Sequence, residues 1–306
     1  MIEIIRKTNI DFMGLRKITL VVSSLLLLIG FIAVYHLATG TANLGIDFAG
    51  GTAVQIKFEK HVNLQEVRNV LDARGIKNFD LQDFPTANKV LIQIKRDQEE
   101  LGRLSEQIIA ALKEGFPDNR ITVDSTTEIG PKVGAKLRKD AIWAIVLATI
   151  FILGYIAWRF QFRFGVGATA ATFHDVLVVL GIFNLMDKEI NLILVSALLT
   201  IAGYSLTDTV VVFDRIRENL RFITKEPVEQ VINKSINEVL SRTIITSLTT
   251  LLAAGALFFF GGEVIHDFAL AMILGIAIGT YSSIFVASPI VLLWKKDGSP
   301  LAARKK

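Results

Sequence analysis

Residues 203–219 read GYSLTDTVVVFDRIREN, and they place an aspartate, Asp208, inside an apolar run of membrane-spanning length before the chain turns to mixed charge. A carboxylate within a bilayer is costly enough that it normally faces the protein interior or a water-filled path, and it marks a functional site. The next apolar stretch, 240–260, opens with Arg242, and Arg242, Thr246 and Thr249 follow i, i+4, i+7 spacing with Thr243, Ser247 and Thr250 beside them. A polar stripe therefore climbs one side of a helix otherwise suited to lipid. Asp208 lies six residues before the charged exit of its helix and Arg242 near the charged start of the next. The sequence thus predicts both at similar depth, within reach of an ion pair. A static pair that locks two helices is the plain alternative to a functional one, because buried pairs add little net stability.

Outward from this stretch, apolar runs cover 18–37, 141–158, 164–185, 190–213, 244–260 and 268–294, each about the length the hydrocarbon core requires. The first follows a basic leader (Arg6, Lys7, Arg16, Lys17) and is longer than a signal-peptide core, so it reads as an uncleaved span. Six spans put both termini on one side. Short loops on that side carry Arg159 and Arg163, then Arg215, Arg217, Arg221, Lys225 and Lys234, and a basic tail over 295–306, against Lys188 alone opposite. The positive-inside bias predicts cytoplasmic termini and an extracytoplasmic insertion between the first two spans.

Composition agrees. Of 306 residues, 52% are hydrophobic, and the charged residues cluster between the apolar runs. With no cysteine there is no disulfide framework, thiolate metal site or cysteine nucleophile. The net charge of +4 comes from residues flanking the spans rather than from one soluble face, which argues against nucleic acid as a partner.

The insertion, 45–139, reads as strand 52–59, helix 64–74, strands 79–84 and 89–96, helix 98–114 and strand 120–128. Asn63 with Glu66 and Asp97 with Glu100 are spaced as helix N-caps and third-position partners, and Gly75 and Gly115 suit helix ends. The order β-α-β-β-α-β predicts a ferredoxin-like α+β domain. The fold class is thus a polytopic α-helical membrane protein with six transmembrane helices and that domain between the first two. The organisation is 1–44 for the N-terminus and first span, 45–139 for the insertion, 140–294 for spans two to six, and 295–306 for the tail. The insertion holds no His, Asp or Glu constellation spaced for acid–base or metal chemistry, so a binding or lever module is favoured over an enzyme, with no cofactor. Residues 226–240 form an amphipathic pattern that reads as a strut on the cytoplasmic membrane surface.

Other residues carry weaker signals. His174 and Asp175 sit mid-span as secondary relay members or interhelical hydrogen-bond partners, their side chains about 100° apart on the helix. Gly275 and Gly279 form a G-x-x-x-G pair, which signals close helix packing. Gly45, Gly50 and Gly51 of GIDFAGG read as a tight backbone turn into the first strand, with Asp47 as a hinge contact; no Lys-Ser/Thr follows to make a phosphate loop.

Five stretches together resemble one family: GIDFAGG at 45–51, FHDVLVVLG at 173–181, GYSLTDTVVVFDRIREN at 203–219, NEVLSRTIITSLTTLL at 237–252 and GIAIGTYSSIFVASP at 275–289. They are similar to the SecF family, membrane subunits of the bacterial SecD–SecF protein-export complex within the RND superfamily, over nearly the whole chain. The resemblance implies a non-enzymatic accessory of the Sec machinery. With SecD as a heterodimeric partner it would use the proton motive force to promote late-stage preprotein translocation and release on the outer face, alongside the SecYEG translocon and YajC. It further implies that Asp208 matches the family's proton-relay carboxylate and Arg242 its arginine on the following helix, with Thr246 on the same stripe. Thr207 stands where the family usually has asparagine and keeps only a hydroxyl. Two other classes remain open: half of an RND-type exporter of small molecules or lipids, for which the insertion is small, and a passive scaffold in which Asp208 and Arg242 are structural glue.

Overall fold

The computed structural model describes residues 8–84, 87–95, 103–159, 162–222 and 226–293. In chain order the elements are α1 (Arg16–Thr39), α2 (Ile46–Ala49), β1 (Gly51–Phe58), α3 (Leu64–Ala73), β2 (Phe79–Phe84), β3 (Lys89–Ile94), α4 (Leu104–Gly115), β4 (Ile121–Ile129), α5 (Pro131–Arg159), α6 (Phe162–Leu185), α7 (Leu192–Phe222), α8 (Val228–Phe260) and α9 (Glu263–Ser282). A π-helical turn over Ser283–Ala287 then leads into α10 (Ser288–Leu293). Two compact units result: residues 1–43, 144–188 and 193–306 form one, and 44–143 with 189–192 form the other.

Six helical stretches are long and apolar enough to cross a membrane: Arg16–Thr39, Pro131–Ile156, Phe162–Leu185, Leu192–Phe222, Val228–Phe260 and Val264–Leu293. This is a membrane protein. Two boundaries differ from the sequence expectation. The second span begins at Pro131, inside the expected insertion, because proline suits a first helical turn and no glycine or further proline interrupts the ladder until Gly134, which α5 absorbs. The amphipathic stretch is not a separate surface strut. It is the first third of α8, and its apolar face packs on protein: Ile232 and Ile236 are fully buried in a cluster with Phe12, Met13, Phe213 and Ile216, and Val231 is fully buried as well.

The chain before α1 is tied to the same stretch. Asn237 Nδ2 donates to Ile10 O while its Oδ1 accepts from Ile10 N, and Met13 N donates to Asn233 Oδ1, each at 2.9 Å. Asp11 accepts from Gly14 N and Asn233 Nδ2, which hold its carboxyl below the usual carboxylate range. On α7, Asn219 Nδ2 donates to Ser235 Oγ (3.0 Å) and Glu238 Oε2 (2.7 Å), tying α7 to α8. α1 lies against α6 through glycines: a Cβ on Gly30 would stand 2.6 Å from Leu177 O, and one on Gly181 2.7 Å from Gly30 N. Close backbone approach of this kind is how small residues bind helices where the hydrophobic effect gives no drive.

The second unit is a four-stranded sheet ordered β2-β3-β1-β4, every neighbouring pair antiparallel, with a bulge in β4 at Asp124, opposite Gln55 and Ile56. Alternation on β1 and β3 sends Val54, Ile56, Phe58, Val90, Ile92 and Ile94 to one face, where they are buried with Val67 and Leu71 of α3 and Ile108 and Leu112 of α4. Each such side chain stabilises the unit by roughly 1.5–3 kcal/mol. Asn63 caps α3 as its spacing predicts, its side chain accepting from Gln65 N at 2.9 Å, and Gly75 follows with φ of 77°. Gly115 instead ends α4 with ordinary backbone and serves helix contact, since a Cβ there would stand 2.4 Å from Val70 Cγ1. Arg96, Asp97, Glu100 and the tail 295–306 lie outside the described residues.

Candidate functional site

Asp208 sits toward the C-terminal end of the apolar part of α7 and is 5% exposed. Its nearest hydrogen-bond partner is Ser247 on α8, whose Oγ lies 3.5 Å from Asp208 Oδ2. Ser247 Oγ in turn lies 2.7 Å from Thr280 Oγ1 on α9 and accepts from Tyr204 OH at 3.4 Å. Thr280 already donates to Ile276 O at 2.8 Å. The Ser247 hydroxyl owns one proton and so cannot serve Asp208 and Thr280 together. Hence no set of short, fixed bonds commits Asp208 to one protonation state.

The expected Asp208–Arg242 ion pair is not formed. Arg242 and Thr246 are exposed along one stripe of α8, and Thr246 Oγ1 donates back to Arg242 O at 2.9 Å. Thr243 and Ser247 form a second stripe, 1% and 5% exposed, and this one faces α7. The reason is periodicity: five residues separate Arg242 from Ser247, which on a helix puts them about 140° apart, so the residue of α8 that meets Asp208 is Ser247.

One turn earlier on α7, Ser205 belongs to a tighter cluster. Asp175 on α6 is wholly buried; its Oδ2 accepts from Ser205 Oγ at 2.5 Å and from Ser282 Oγ of α9 at 2.7 Å, and its Oδ1 lies 2.9 Å from His174 Nδ1. Thus His174 and Asp175 do bond each other despite their angular offset, while Asp175 also makes the interhelical bonds. Gly279 gives α9 its closeness here: a Cβ on it would stand 3.2 Å from Ser205 Cβ, and one on Gly275 would stand 2.4 Å from Ile201 Cγ1. Tyr204, Ser205, Thr280 and Ser282 escaped the sequence reading. Their signal was present as hydroxyls one turn before Asp208 and as the run Thr280–Ser283 inside an apolar helix.

In the other unit, Gly45 N donates to Ile190 O at 3.0 Å, and Asp47 Oδ2 accepts from Leu192 N at 3.0 Å, at the first residue of α7. Gly50 and Gly51 have φ of 80° and 143°, and a Cβ on Gly51 would fall 2.1 Å from Ile94 O. Only glycine fits that turn into β1.

Comparison with known proteins decides the family. The profile described as "Protein export membrane protein SecD/SecF, C-terminal" matches residues 108–297, and the "SecD/SecF GG Motif" matches 37–61. A protein of Thermodesulfovibrio yellowstonii named "Protein translocase subunit SecF" is 60% identical over 299 residues, covering 97% of this chain and 98% of that one. The chain belongs to the SecF family. A second relative of the same name, from Endomicrobium trichonymphae, is 44% identical over 95% of this chain and 93% of its own. The crystal structure of SecDF from Thermus thermophilus, described as a translocon-associated membrane protein, superposes with a TM-score of 0.81 at 37% identity and covers 94% of this SecF-family chain. The chain spans 39% of that larger protein's length.

Proposed function

We propose that the chain is a subunit of the Sec protein translocase that works with SecD, using the proton motive force to promote late-stage preprotein translocation and release on the outer face of the membrane. In this reading it lies in the bacterial inner membrane with both termini cytoplasmic, carries a ferredoxin-like domain outside, performs no covalent catalysis, and meets SecYEG and YajC as further partners. The strand order β2-β3-β1-β4 supports the ferredoxin-like assignment. The relatives named as translocase subunits support the process, and the SecDF neighbour supports a SecD partner.

The carrying observation is the buried Asp208 carboxylate with a single long bond to a hydroxyl that has a second place to put its proton. When Asp208 is ionised, Ser247 turns its O–H toward it; when Asp208 takes a proton, Ser247 is free to donate to Thr280. Proton arrival is thereby felt on α8 and α9 at once. Arg242 and Thr246, exposed on their stripe, are placed to meet a SecD half closing over that face, and helix movement there brings the guanidinium toward Asp208 or away from it. One charge crossing about 100 mV is worth roughly 2.3 kcal/mol, enough to bias a two-state motion and far too little for a covalent step. An exporter of small molecules would keep Asp208 but needs a substrate chamber; the outer unit's core is filled by side chains.

The test is reconstitution of the full chain with SecD and the translocon, followed by release of a stalled preprotein with and without an imposed proton gradient. Gradient-dependent release that requires this chain is expected. Equal stimulation when the chain is omitted would remove the assignment.

A further inference from the structure

An open furrow of about 490 Å³ runs along the first unit between α1 and the last span, with α6 beneath it, and its size is that of a small-molecule site. Its α1 wall is Arg16, Lys17, Leu20, Ser23, Ser24 and Leu27, and the facing wall runs from Phe285 to Leu293. From Arg16 to Leu27 is eleven helical residues, about 16 Å at 1.5 Å each, which is close to half of the roughly 30 Å hydrocarbon core. The furrow is thus one leaflet deep. Its cause is local: the π turn and Pro289, which has no amide to donate, interrupt the regular ladder of the last span over the same stretch. Its chemistry divides by depth. At the end where α1 begins stand two cations: Arg16 is paired with Glu229, whereas the exposed Lys17 makes no ion pair among the described residues. Below them the lining is mainly hydrocarbon, and the two serine hydroxyls of α1 are satisfied within the protein, Ser24 Oγ donating to Leu20 O at 2.8 Å and Ser23 Oγ lying 2.9 Å from Tyr281 OH.

We propose that this furrow binds an anionic glycerophospholipid, with its phosphate at Lys17 and one acyl chain laid between α1 and the last span. Charge and length carry the assignment together. The unpaired ammonium sits where a headgroup sits, and an apolar trough one leaflet long lies directly below it. A zwitterionic lipid would fill the trough equally but bring no net charge to Lys17. A partner's transmembrane helix suits the furrow less, because helices in membranes approach one another through small residues, as α1 and α6 do at Gly30 and Gly181. The rims here are large aliphatic side chains instead, Leu20 at 60% exposure and Leu293 at 79%, which leave a cleft suited to a thin, flexible chain. None of the lining belongs to α7 or α8, so the site stands apart from Asp208 and does not depend on the relay.

The chain has no cysteine, so an introduced thiol is the only one it carries and takes a fluorophore to one place. Leu20→Cys puts bimane on the rim, and Phe151→Cys, on α5 at 73% exposure, reports ordinary lipid contact. The labelled full chain is reconstituted, alone and with unlabelled SecD, in phosphatidylcholine vesicles holding graded amounts of phosphatidylglycerol or phosphatidylcholine that carries a nitroxide on the same acyl carbon. The ratio of the two quenching curves gives the headgroup preference at each position. At Leu20→Cys, phosphatidylglycerol should be preferred about fivefold, the discrimination that one basic side chain gives at an anionic lipid surface, and at Phe151→Cys the two lipids should quench alike. Lys17→Gln should remove the preference and Lys17→Arg should keep it, while Ala170→Leu, which raises the floor of the furrow, should weaken quenching at the rim by both lipids. Equal quenching by the two lipids at Leu20→Cys would mean ordinary boundary lipid. Quenching that disappears with SecD present would mean that a protein helix fills the furrow, and a preference untouched by Ala170→Leu would place the lipid on open surface. Any of these three results overturns the proposal.

Discussion

Asp175→Ala should loosen the bundle by an amount that its partners dictate. The wild-type carboxylate is fully buried and holds three helices together through Ser205, Ser282 and its neighbour His174. Interhelical hydrogen bonds in membranes average about 0.6 kcal/mol and reach about 1.7, and the 2.5 and 2.7 Å bonds to a carboxylate belong at the upper end. Ser282 keeps its second bond, to Gly279 O at 3.2 Å, whereas Ser205 loses the carboxylate to which its hydroxyl donates. The loss should therefore total about 2–4 kcal/mol, with Asp175→Asn, which keeps an acceptor, costing about half of it. Because Ser205 matters through Asp175, Ser205→Ala should cost about 1–2 kcal/mol in the wild type and close to nothing in the Asp175→Ala background. Unfolding of the full chain in bicelles by sodium dodecyl sulfate titration measures all four corners of that cycle. Additive losses, or an Asp175→Ala variant within about 0.5 kcal/mol of wild type, would refute the clamp and leave the hydroxyls as bystanders.

Three further outcomes follow from the same geometry. Gly181→Leu should separate α1 from α6, because its Cβ alone would stand 2.7 Å from the Gly30 nitrogen; a loss of about 3 kcal/mol or failure to assemble is expected in the same titration, while Gly203→Ala, with open space around it, should be near neutral. Residues 50–130, expressed alone, should give dispersed amide NMR signals, since the sheet and its two helices share a core of their own; a collapsed spectrum would contradict that independence. Arg242→Lys should shift the pH dependence of export at fixed membrane potential, since a planar, permanently charged guanidinium is not replaced by an ammonium, and superimposable curves would make Arg242 a surface residue without a part in the relay.

Much of the architecture was legible because membrane length and strand alternation are strong signals. All six spans and all four strands stand within a few residues of their expected positions, apart from the ends that join to other helix. Where the reading slipped, tertiary packing outranked local pattern. The amphipathic stretch at the start of α8 does present one apolar face, but that face found Met13 and Phe213 rather than lipid, and pattern alone cannot tell those partners apart. The site was half legible. Asp208 stands out by the cost of a carboxylate in an apolar run and is buried, while its hydrogen bond comes from the buried stripe of α8 that carries Thr243 and Ser247 rather than from the charged stripe of Arg242. Thr280 and Ser282 come from a distant helix, and hydroxyls in an apolar segment become informative only once it is known which carboxylates they face.

The central claim is that Asp208 exchanges protons in the working cycle, and Asp208→Asn tests it most directly because the side chain keeps its size and its acceptor oxygen yet cannot titrate. Full chain, SecD and translocon are reconstituted together, and preprotein export is followed with and without an imposed proton gradient. The account predicts that the variant assembles normally and supports export only at the rate seen without a gradient. Gradient stimulation as large as in the wild type would contradict it.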